Sequence, residues 1–520
     1  MIKEAFIYAK SVHIFGWSFL IDRGKSRDQL VPIEKIIGNF KKSLTEWGWI
    51  RKRFDILEEE GKIKRDSYML KQYLSSAAEQ IFFESKVKDA ICTVYEYPLR
   101  EKEYFYSIQK GENTYELPIE SIELHVYNCG VGILFFKALC FHNYGIDGIK
   151  EINDYGRRIN VAYIPQSEKD WCIWADKLGI VIKNRTGDVV ERSVMNYKEM
   201  IAEVIDGNNI RVNMEKMQNP AEFLELTLYG KLGCDNNCSD GREKLYKIQS
   251  YSDDRMFLIS MIRDSNLSRE VKEITKDTNN LIKKNGAKEE QEQKNKKIAL
   301  EDKIYSICYA DPDEATCRDV DMRRELLQKS LYKRWLDYGS LSGVTSYSYV
   351  LITSYYSGID SSVVRPFYYE YLYLISLVLA QRIGIARFSY DTTRSAKIMH
   401  MRYRNPFRCL VESRKYLKLQ EKFVIFNSQM LVVEPSCQEQ GIEIYQMLQK
   451  QLLIKEEHKL LGEQLQSMYE AISTWRSNVW TQIGYIGVLV GIINAVLDKD
   501  PNVIKLVYEK LLEVFQIILK

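Results

Sequence analysis

Proline is scarce in this chain, with 10 among 520 residues, where an average composition holds about 5%. Collagen-like and long proline-rich disordered tracts are thereby excluded, and most of the chain is expected to fold. Histidine is scarcer, at five, and no two stand at i, i+4, so the paired-histidine helix of a zinc protease is absent and acid–base chemistry has few carriers. Charge of one sign is lacking too: 74 basic residues face 71 acidic ones, for a net charge of +3. No basic block tracks a phosphate backbone, so duplex nucleic acid is not an expected partner. There is no P-loop, no G-x-G-x-x-G after a strand and no G-x-S-x-G. Paired acids occur only in charge runs, where a solvated face is the ordinary outcome. An enzyme is not expected.

What is present divides along the chain. The ten cysteines have irregular spacing and read as reduced thiols, which places the bulk of the protein in the cytosol. The start, MIKEAFIYAKSVHIFGWSFL, carries Glu4 and Lys10 inside its apolar stretch and no small-residue cleavage site, the pattern of a strand and not of a secretory signal. Residues 86–142 are rich in aromatic and β-branched residues between glycine-containing turns, which predicts a mostly antiparallel sheet. Helical spacing over 33–84, as at Ile33, Ile37, Phe40 and Leu44, and over 196–207 predicts helices covering that sheet. Five segments are expected: an α/β or α+β cytosolic domain over 1–265, a charged linker or solvated helix over 266–303, the remainder of the α/β domain over 304–365, an all-α stalk over 366–478, and a membrane helix with an amphipathic C-terminal helix over 479–520. The aromatic-rich stretch from Ser330 to Ser354 offers a last strand for the sheet.

From Pro366 to Tyr390 the sequence is apolar on nearly every side of a helix, so that helix must be buried. A second helix is expected to end near Phe426. Ser436 and Glu439 then stand in capping-box positions for a third. Tyr445, Leu448, Leu452 and, after a polar interruption, Leu461, Leu465, Met468, Ile472, Trp475 and Val479 follow the rhythm of a coiled-coil seam. That seam runs into residues 479–497, an uncharged segment of about 28 Å as a helix, close to a hydrocarbon core of roughly 30 Å. Trp475, Trp480 and Tyr485 cluster at one end, as in an interfacial belt. Gly484, Gly487, Gly491 and Ala495 share one face, where small residues let helices approach closely. Together the third helix and this segment predict one rod of about 90 Å. Gln482 and Asn494 also suit a buried hairpin of a soluble bundle. The tail over 502–519 has a polar stripe of Lys505, Glu509, Glu513 and Gln516; it crosses the bilayer, lies on it, or packs in a soluble bundle.

Candidate ligand residues are few. In DYGRR, Arg157 and Arg158 are placed to grip a phosphate, with Asn153 or Tyr155 on a base or ribose; the alternative is a surface pair at a sheet edge. Arg334 with Trp335 forms a second candidate pair. Gln381 and Arg382 interrupt the apolar helix, and a buried arginine needs a carboxylate or a ligand. Cys234 and Cys238 with Cys308 and Cys317 match no zinc spacing, and His125, Cys129, Cys140 and His142 read as a packed sheet face.

Several stretches, LHVYNCGVGILFF, INDYGRRI, YKRWLDYGSLSGVTSYSYV, YLYLISLVLAQRIGIARFSY and QEQGIEIYQML, spread over residues 124–448, resemble the divergent CorA-like proteins found beside type III CRISPR systems. The order of parts, a cytosolic domain, a long seam helix and a short apolar helix, resembles CorA-like magnesium transporters. This resemblance implies a pentameric membrane protein whose cytosolic domain responds to a nucleotide-derived antiviral signal, with membrane lipid and further copies of the chain as partners. No cofactor follows from the residues; the resemblance points to a divalent cation, magnesium in the transporters. Where those carry Gly-Met-Asn, this chain reads LDKDPN. Selective magnesium transport is therefore not implied, while Asp498 and Asp500, with Asn494 nearby, either form a carboxylate ring in an oligomer or solvate a turn. The expected function is a ligand-gated cation channel or membrane effector in antiviral defence. The alternative is a soluble interaction protein whose C-terminal hairpin is buried or oligomerising.

Overall fold

The computed structural model describes residues 5–23, 33–54, 65–83, 90–99, 103–159, 178–192, 201–205, 209–212, 222–232, 245–272, 287–355, 358, 360–401 and 406–497. They form two compact units, one of Met1–Ala386 with Phe426–Glu456, the other of Arg387–Ile425 with Glu457–Lys520. A mixed α/β region with a large sheet comes first in sequence, and a mostly helical part follows.

The first unit runs β1 (Ser11–Arg23), α1 (Ile33–Glu46), β2 (Ile50–Arg51), α2 (Arg65–Tyr73), α3 (Ser76–Phe82), β3 (Cys92–Glu96), β4 (Tyr104–Lys110), β5 (Asn113–Tyr127), β6 (Val131–Cys140), α4 (Gly145–Tyr155), β7 (Leu178–Asn184) and β8 (Val189–Arg192). Next come β9 (Ile201–Ile205), β10 (Asn209–Val212), α5 (Glu222–Leu228), β11 (Tyr246–Ser250), β12 (Phe257–Arg263), α6 (Ser265–Val271), α7 (Ala287–Cys308), α8 (Val320–Ser330), β13 (Leu331–Tyr332), β14 (Leu341–Val344) and β15 (Ser348–Thr353). Thirteen of the described strands make one sheet along β13-β14-β15-β12-β1-β6-β5-β4-β7-β8, with β11 on β1, and β2 and β3 reached from β5. The pairing is antiparallel except between β12 and β15, whose parallel register needs the crossover that α6 to α8 provide.

The register of β1 on β6 is fixed by shape. Gly16 pairs with Phe135 and Gly132 with Phe19. A Cβ at Gly16 would come within 2.8 Å of the Phe135 ring, and one at Gly132 would strike the Phe19 ring. Each phenylalanine fills the space opposite a glycine, one on each face, so a slip of two residues places two full side chains together. Phe15, Trp17, Phe19 and Ile21 point into a core shared with Phe40 and Leu44 of α1, Ile152 of α4, Phe223 of α5 and Ile304 of α7. On the opposite face His125 meets Ser376, Lys137 lies over the Tyr368 ring, and Tyr349 packs on Phe367. Because both faces are covered, β6, β12 and β15 are buried at every residue.

The covering element on that face opens with π-helical turns at Asp360–Val364 and Phe367–Tyr371 and continues as α9 (Leu372–Met401). The helical stretch Asp360–Ala396 is the one that, among the described residues, is long and apolar enough to cross a membrane, but 78% of its apolar window is buried. The sheet lies on one side of it. On its other side Gln381 donates to the Met430 carbonyl and the Tyr445 hydroxyl, and Gly384 sits against the Phe426 ring. A helix clad all round is apolar all round.

Three helices follow: α10 (Pro406–Met430), α11 (Glu439–Gln451) and α12 (Ile454–Leu497). The single rod expected from residue 436 onward is instead two helices, because Leu453 takes φ 53°, outside the helical region, and interrupts the helix. Gln438, not Ser436, is the N-cap of α11; the Ser436 hydroxyl donates to the Tyr73 carbonyl and contacts Glu370, leaving no capping box. The helix expected over 196–207 is a strand in its described part, β9, paired with β10. The charged stretch 266–303 contributes α6 and most of α7, and the latter passes from exposed Gln291 and Glu292 to buried Ile304 and Ile307. The stretch after Ser330 supplies three strands, β13 to β15.

In the second unit the expected seam is the inward face of α12. Leu461, Leu465 and Ile472 are buried, while Met468, Trp475 and Val479 are half-buried. The Tyr416 hydroxyl of α10 donates to the Leu465 carbonyl at 2.5 Å, and the Phe423 ring packs on both Phe388 and His458. Beyond Val479 the packing ends: Trp480, Ile483, Tyr485, Val488, Leu489, Val490 and Ile492 are all exposed.

Candidate functional site

Helix α4 ends at Tyr155, and the turn behind it presents Arg157 and Arg158. Two main-chain bonds hold this turn to the strand region before β12, Met256 N–H to the Arg157 carbonyl at 2.7 Å and Ile159 N–H to the Asp254 carbonyl at 2.8 Å. Asp154, buried one turn earlier, gathers three guanidiniums: Arg158 at 2.5 Å, Arg157 at 3.7 Å and Arg255 at 3.8 Å. Arg255 has a second acid in Asp254, at 3.2 Å. Arg157 is only 2% exposed and lies over the Tyr347 ring at 4.9 Å. Burial weakens its hold on its proton, and Asp154 offsets part of that. Its Nε finds no hydrogen-bond partner among the described residues.

Arg157, Arg255 and Arg382 line one cavity of about 510 Å³, an ordinary size for a small-molecule site. Besides the turn that carries Arg157, several elements meet there. The turn after β11 supplies Tyr251 and Asp253, the loop before β15 supplies Ser346 and Tyr347, and α9 supplies Leu379, Arg382 and Ile383, which share one helical face. Two acids, Asp253 and Asp311, stand beside the three arginines. Both already accept local bonds: Asp253 from the Arg255 N–H, and Asp311 from the N–H and hydroxyl of Thr316. Burial also raises the Asp311 carboxyl above its ordinary value, against the pull of the Thr316 bonds. The donors of Arg157 and Arg382 are less engaged. Arg382 reaches only the Ser346 carbonyl, at 3.5 Å, and no carboxylate among the described residues lies within ion-pair distance of it. The arrangement can take an anion, with the Tyr251 and Tyr347 rings in the same wall.

The expected site residues separate. Arg157 and Arg382 converge on the cavity, but Arg158 is held on Asp154 over the Tyr155 ring and does not line it. Tyr155 also lies under Lys110. Asn153 faces the sheet, its Oδ1 2.8 Å from His13 Nδ1, and its Nδ2 has no partner among the described residues. Arg334 pairs with Glu439 and Glu443, and Trp335 donates to Gln440, so this pair fastens the β13–β14 region to α11. His125 is buried on Ser376, and Cys140 contacts the His142 carbonyl; no cluster of three metal-binding side chains occurs among the described residues. Cys308 is buried and Cys317 half-buried. Gly484, Gly487 and Gly491 face open space, and Asn494 is exposed. Cys234, Cys238, Asp498, Asp500 and the tail over 502–519 lie outside the described residues.

Arg255, Tyr251, Asp253 and Tyr347 escaped the sequence reading. The only local signal was the SDDR turn before an apolar strand, and nothing in it pointed to residues some 100 positions away. Compared with family models, curated proteins and solved structures, the chain gives no match.

Proposed function

We propose that the protein is a ligand-responsive membrane effector of CorA-like type: a phosphate-bearing, nucleotide-derived signal occupies the Arg157–Arg255–Arg382 cavity, and the helical part carries the response to the membrane. The observation that carries this reading is that one cavity wall is α9 itself, through Leu379, Arg382 and Ile383, the last turn before Ala386 ends the first unit. A ligand bridging Arg157 and Arg382 ties the sheet to that helix. The exposed apolar end of α12 supports the membrane half of the reading. Asp498 and Asp500 are the candidates for lining a cation path. The same exposed face also supports the second reading, a soluble protein that oligomerises through residues 479–520.

Calorimetry on the full chain in detergent, with a panel of nucleotides and nucleotide conjugates, tests the ligand. Arg157→Ala and Arg382→Ala should each lower affinity by about ten- to a hundredfold, the worth of one charge-assisted contact of about 1.5–3 kcal/mol. Unchanged binding in both variants overturns the site. Recovery of the full chain in the high-speed supernatant without detergent selects the second reading.

A further inference from the structure

The π-helical turn Phe367–Tyr371 that leads into α9 carries an acid in a place that offers it no cation. Glu370 is fully buried, and among the described residues no Lys, Arg or His side chain lies within ion-pair distance of it. Its Oε1 meets the Ser436 hydroxyl, while its Oε2 has no hydrogen-bond partner among the described residues. Single π-helical turns within α-helices are rare and recur at functional sites.

Ser436 has three polar neighbours and one hydrogen. A hydroxyl donates once and accepts twice. The Gln438 N–H donates to it at 3.0 Å, and it stands 3.1 Å from the Tyr73 carbonyl, which can only accept. With the hydroxyl hydrogen on Tyr73, the contact with Glu370 needs a hydrogen from the acid. A neutral Glu370 supplies it from Oε1. An ionised Glu370 would draw the hydroxyl hydrogen away from Tyr73 and would still be a buried carboxylate with one bond and no cation, a costly state. We propose that Glu370 is held as a neutral carboxylic acid and closes a latch, tightened by acid, between α2, the start of α9 and α11.

The latch joins these elements directly. On the α2 side, the Ser75 N–H bonds the Pro435 carbonyl at 2.9 Å and the Cys437 N–H bonds the Tyr73 carbonyl at 2.7 Å. On the α11 side, a Cβ at Gly441 would come within 2.5 Å of Glu370 Oε1 and 2.6 Å of Ser436 Oγ, so the helix reaches the pair only because no side chain intervenes. The other charged and titratable groups nearby are occupied or uncharged. Burial holds Tyr349 of β15 and Tyr371 above their ordinary values, so both stay neutral. Arg334 holds Glu439 and Glu443 of α11, Arg263 holds Asp360, Arg365 engages another group, and Lys71 of α2 is exposed. Burial raises Glu370 from 4.5 to about 7, with Ser436 pulling it down. A carboxyl raised in the closed latch keeps a proton that an opened, solvated carboxyl has released. Closure is therefore fully favoured below pH 4.5 and weakens as pH rises to about 7.

Hydrogen exchange on the full chain in detergent, corrected for the intrinsic rate at each pH, reads the latch through the Ser75, Cys437 and Gln438 amides, which bond across it. Their protection in the parent should fall about fiftyfold between pH 5 and pH 7.5, most of what a shift from 4.5 to about 7 is worth at tenfold per unit. In Glu370→Gln, which keeps the shape and a donor but cannot ionise, protection should stay level over the same range. Glu120→Gln, which removes another raised carboxyl of the first unit, should behave as the parent. Level protection in the parent, a parent-like fall in Glu370→Gln, or loss of the fall in Glu120→Gln each overturns the latch. The parent profile and the Glu120→Gln control decide the matter even if Glu370→Gln fails to fold.

Discussion

Helix α9 and the end of α12 are both long, apolar and glycine-containing, yet one is enclosed and the other is bare. Leu374 of α9 is fully buried, whereas Val488 of α12 is 62% exposed. At Gly384 a Cβ would come within 2.5 Å of the Phe426 ring, whereas Gly484, Gly487 and Gly491 have nothing within 4 Å. Apolar composition therefore states only that a helix needs covering. What covers it depends on residues elsewhere in the chain: for α9 these are β5, β6, α10 and α11, and for residues 480–492 of α12 the described chain offers none. That cover has to come from outside the described residues.

The sharpest break in this comparison is a charge placed in each helix. Leu374→Asp buries an unpaired carboxylate between sheet and helix and should cost more than about 4 kcal/mol, enough to unfold the first unit. Val488→Asp leaves the fold intact and lowers the fraction recovered in membranes. Circular dichroism and fractionation of both variants check this pair, and equal effects of the two substitutions would end the distinction. Deleting 479–520 should extend the second effect to its limit, moving the protein to the supernatant without detergent.

The glycines give a smaller version of the same contrast. Gly384→Leu drives a side chain into Phe426 and should destabilise by about 1–3 kcal/mol. Gly487→Leu with Gly491→Leu meets no neighbour among the described residues and removes two poor helix formers, worth roughly 1 kcal/mol each. Its cost should appear between chains, as a smaller particle mass in detergent. An unchanged mass would mean that this face is covered by lipid and not by a second helix.

Much of this architecture was legible. The β5–β6 hairpin declared itself through aromatic and β-branched residues, α9 through apolarity on every side, and the inward face of α12 through its 4-3-4 spacing. Local pattern failed where the cause was distant or local rules were broken. Leu453 in a left-handed conformation carries no sequence signal, since leucine seldom adopts it. The segment that includes Ile201–Ile205 has apolar spacing compatible with a helix, and its pairing with β10 decides otherwise. In the candidate site, DYGRR drew attention to two adjacent arginines, but they diverge: both reach Asp154, while only Arg157 lines the cavity with Arg255 and Arg382 from other elements. Only the sheet and the helix crossing it bring those three together.

The finest distinction between the enclosed and the bare region is their response to pH. From Val479 to Leu497 there is no Asp, Glu, His, Lys or Arg, so between pH 4 and 7 nothing there titrates. The first unit holds Glu120 at a β-bulge, between the Ile119–Ala138 and Ser121–Lys137 pairs. One carboxylate oxygen has no partner among the described residues. Burial pushes its pKa from 4.5 up to about 7, with Lys137 pulling it down and Glu123 pushing it up. A carboxyl raised in the fold keeps a proton that the unfolded chain has already released, so its contribution is fully present below pH 4.5 and lost as pH rises to about 7. The loss approaches about 3 kcal/mol, at 1.36 kcal/mol per pKa unit. His13 works in the opposite direction: burial lowers it from 6.5 to about 4, so its contribution is present above 6.5 and lost as pH falls. The two slopes oppose each other between pH 4.5 and 6.5 and flatten the parent's profile. Glu120→Gln should leave the His13 slope uncovered, and the stability of the variant relative to the parent should grow from nearly nothing at pH 4.5 to about 3 kcal/mol at pH 7. Denaturant unfolding of both proteins at several pH values gives that difference directly, with His13 cancelling. A difference that is the same at pH 5 and pH 7 would mean that Glu120 titrates alike in the folded and unfolded chains, and that this bulge between β5 and β6 is as open to water as the end of α12.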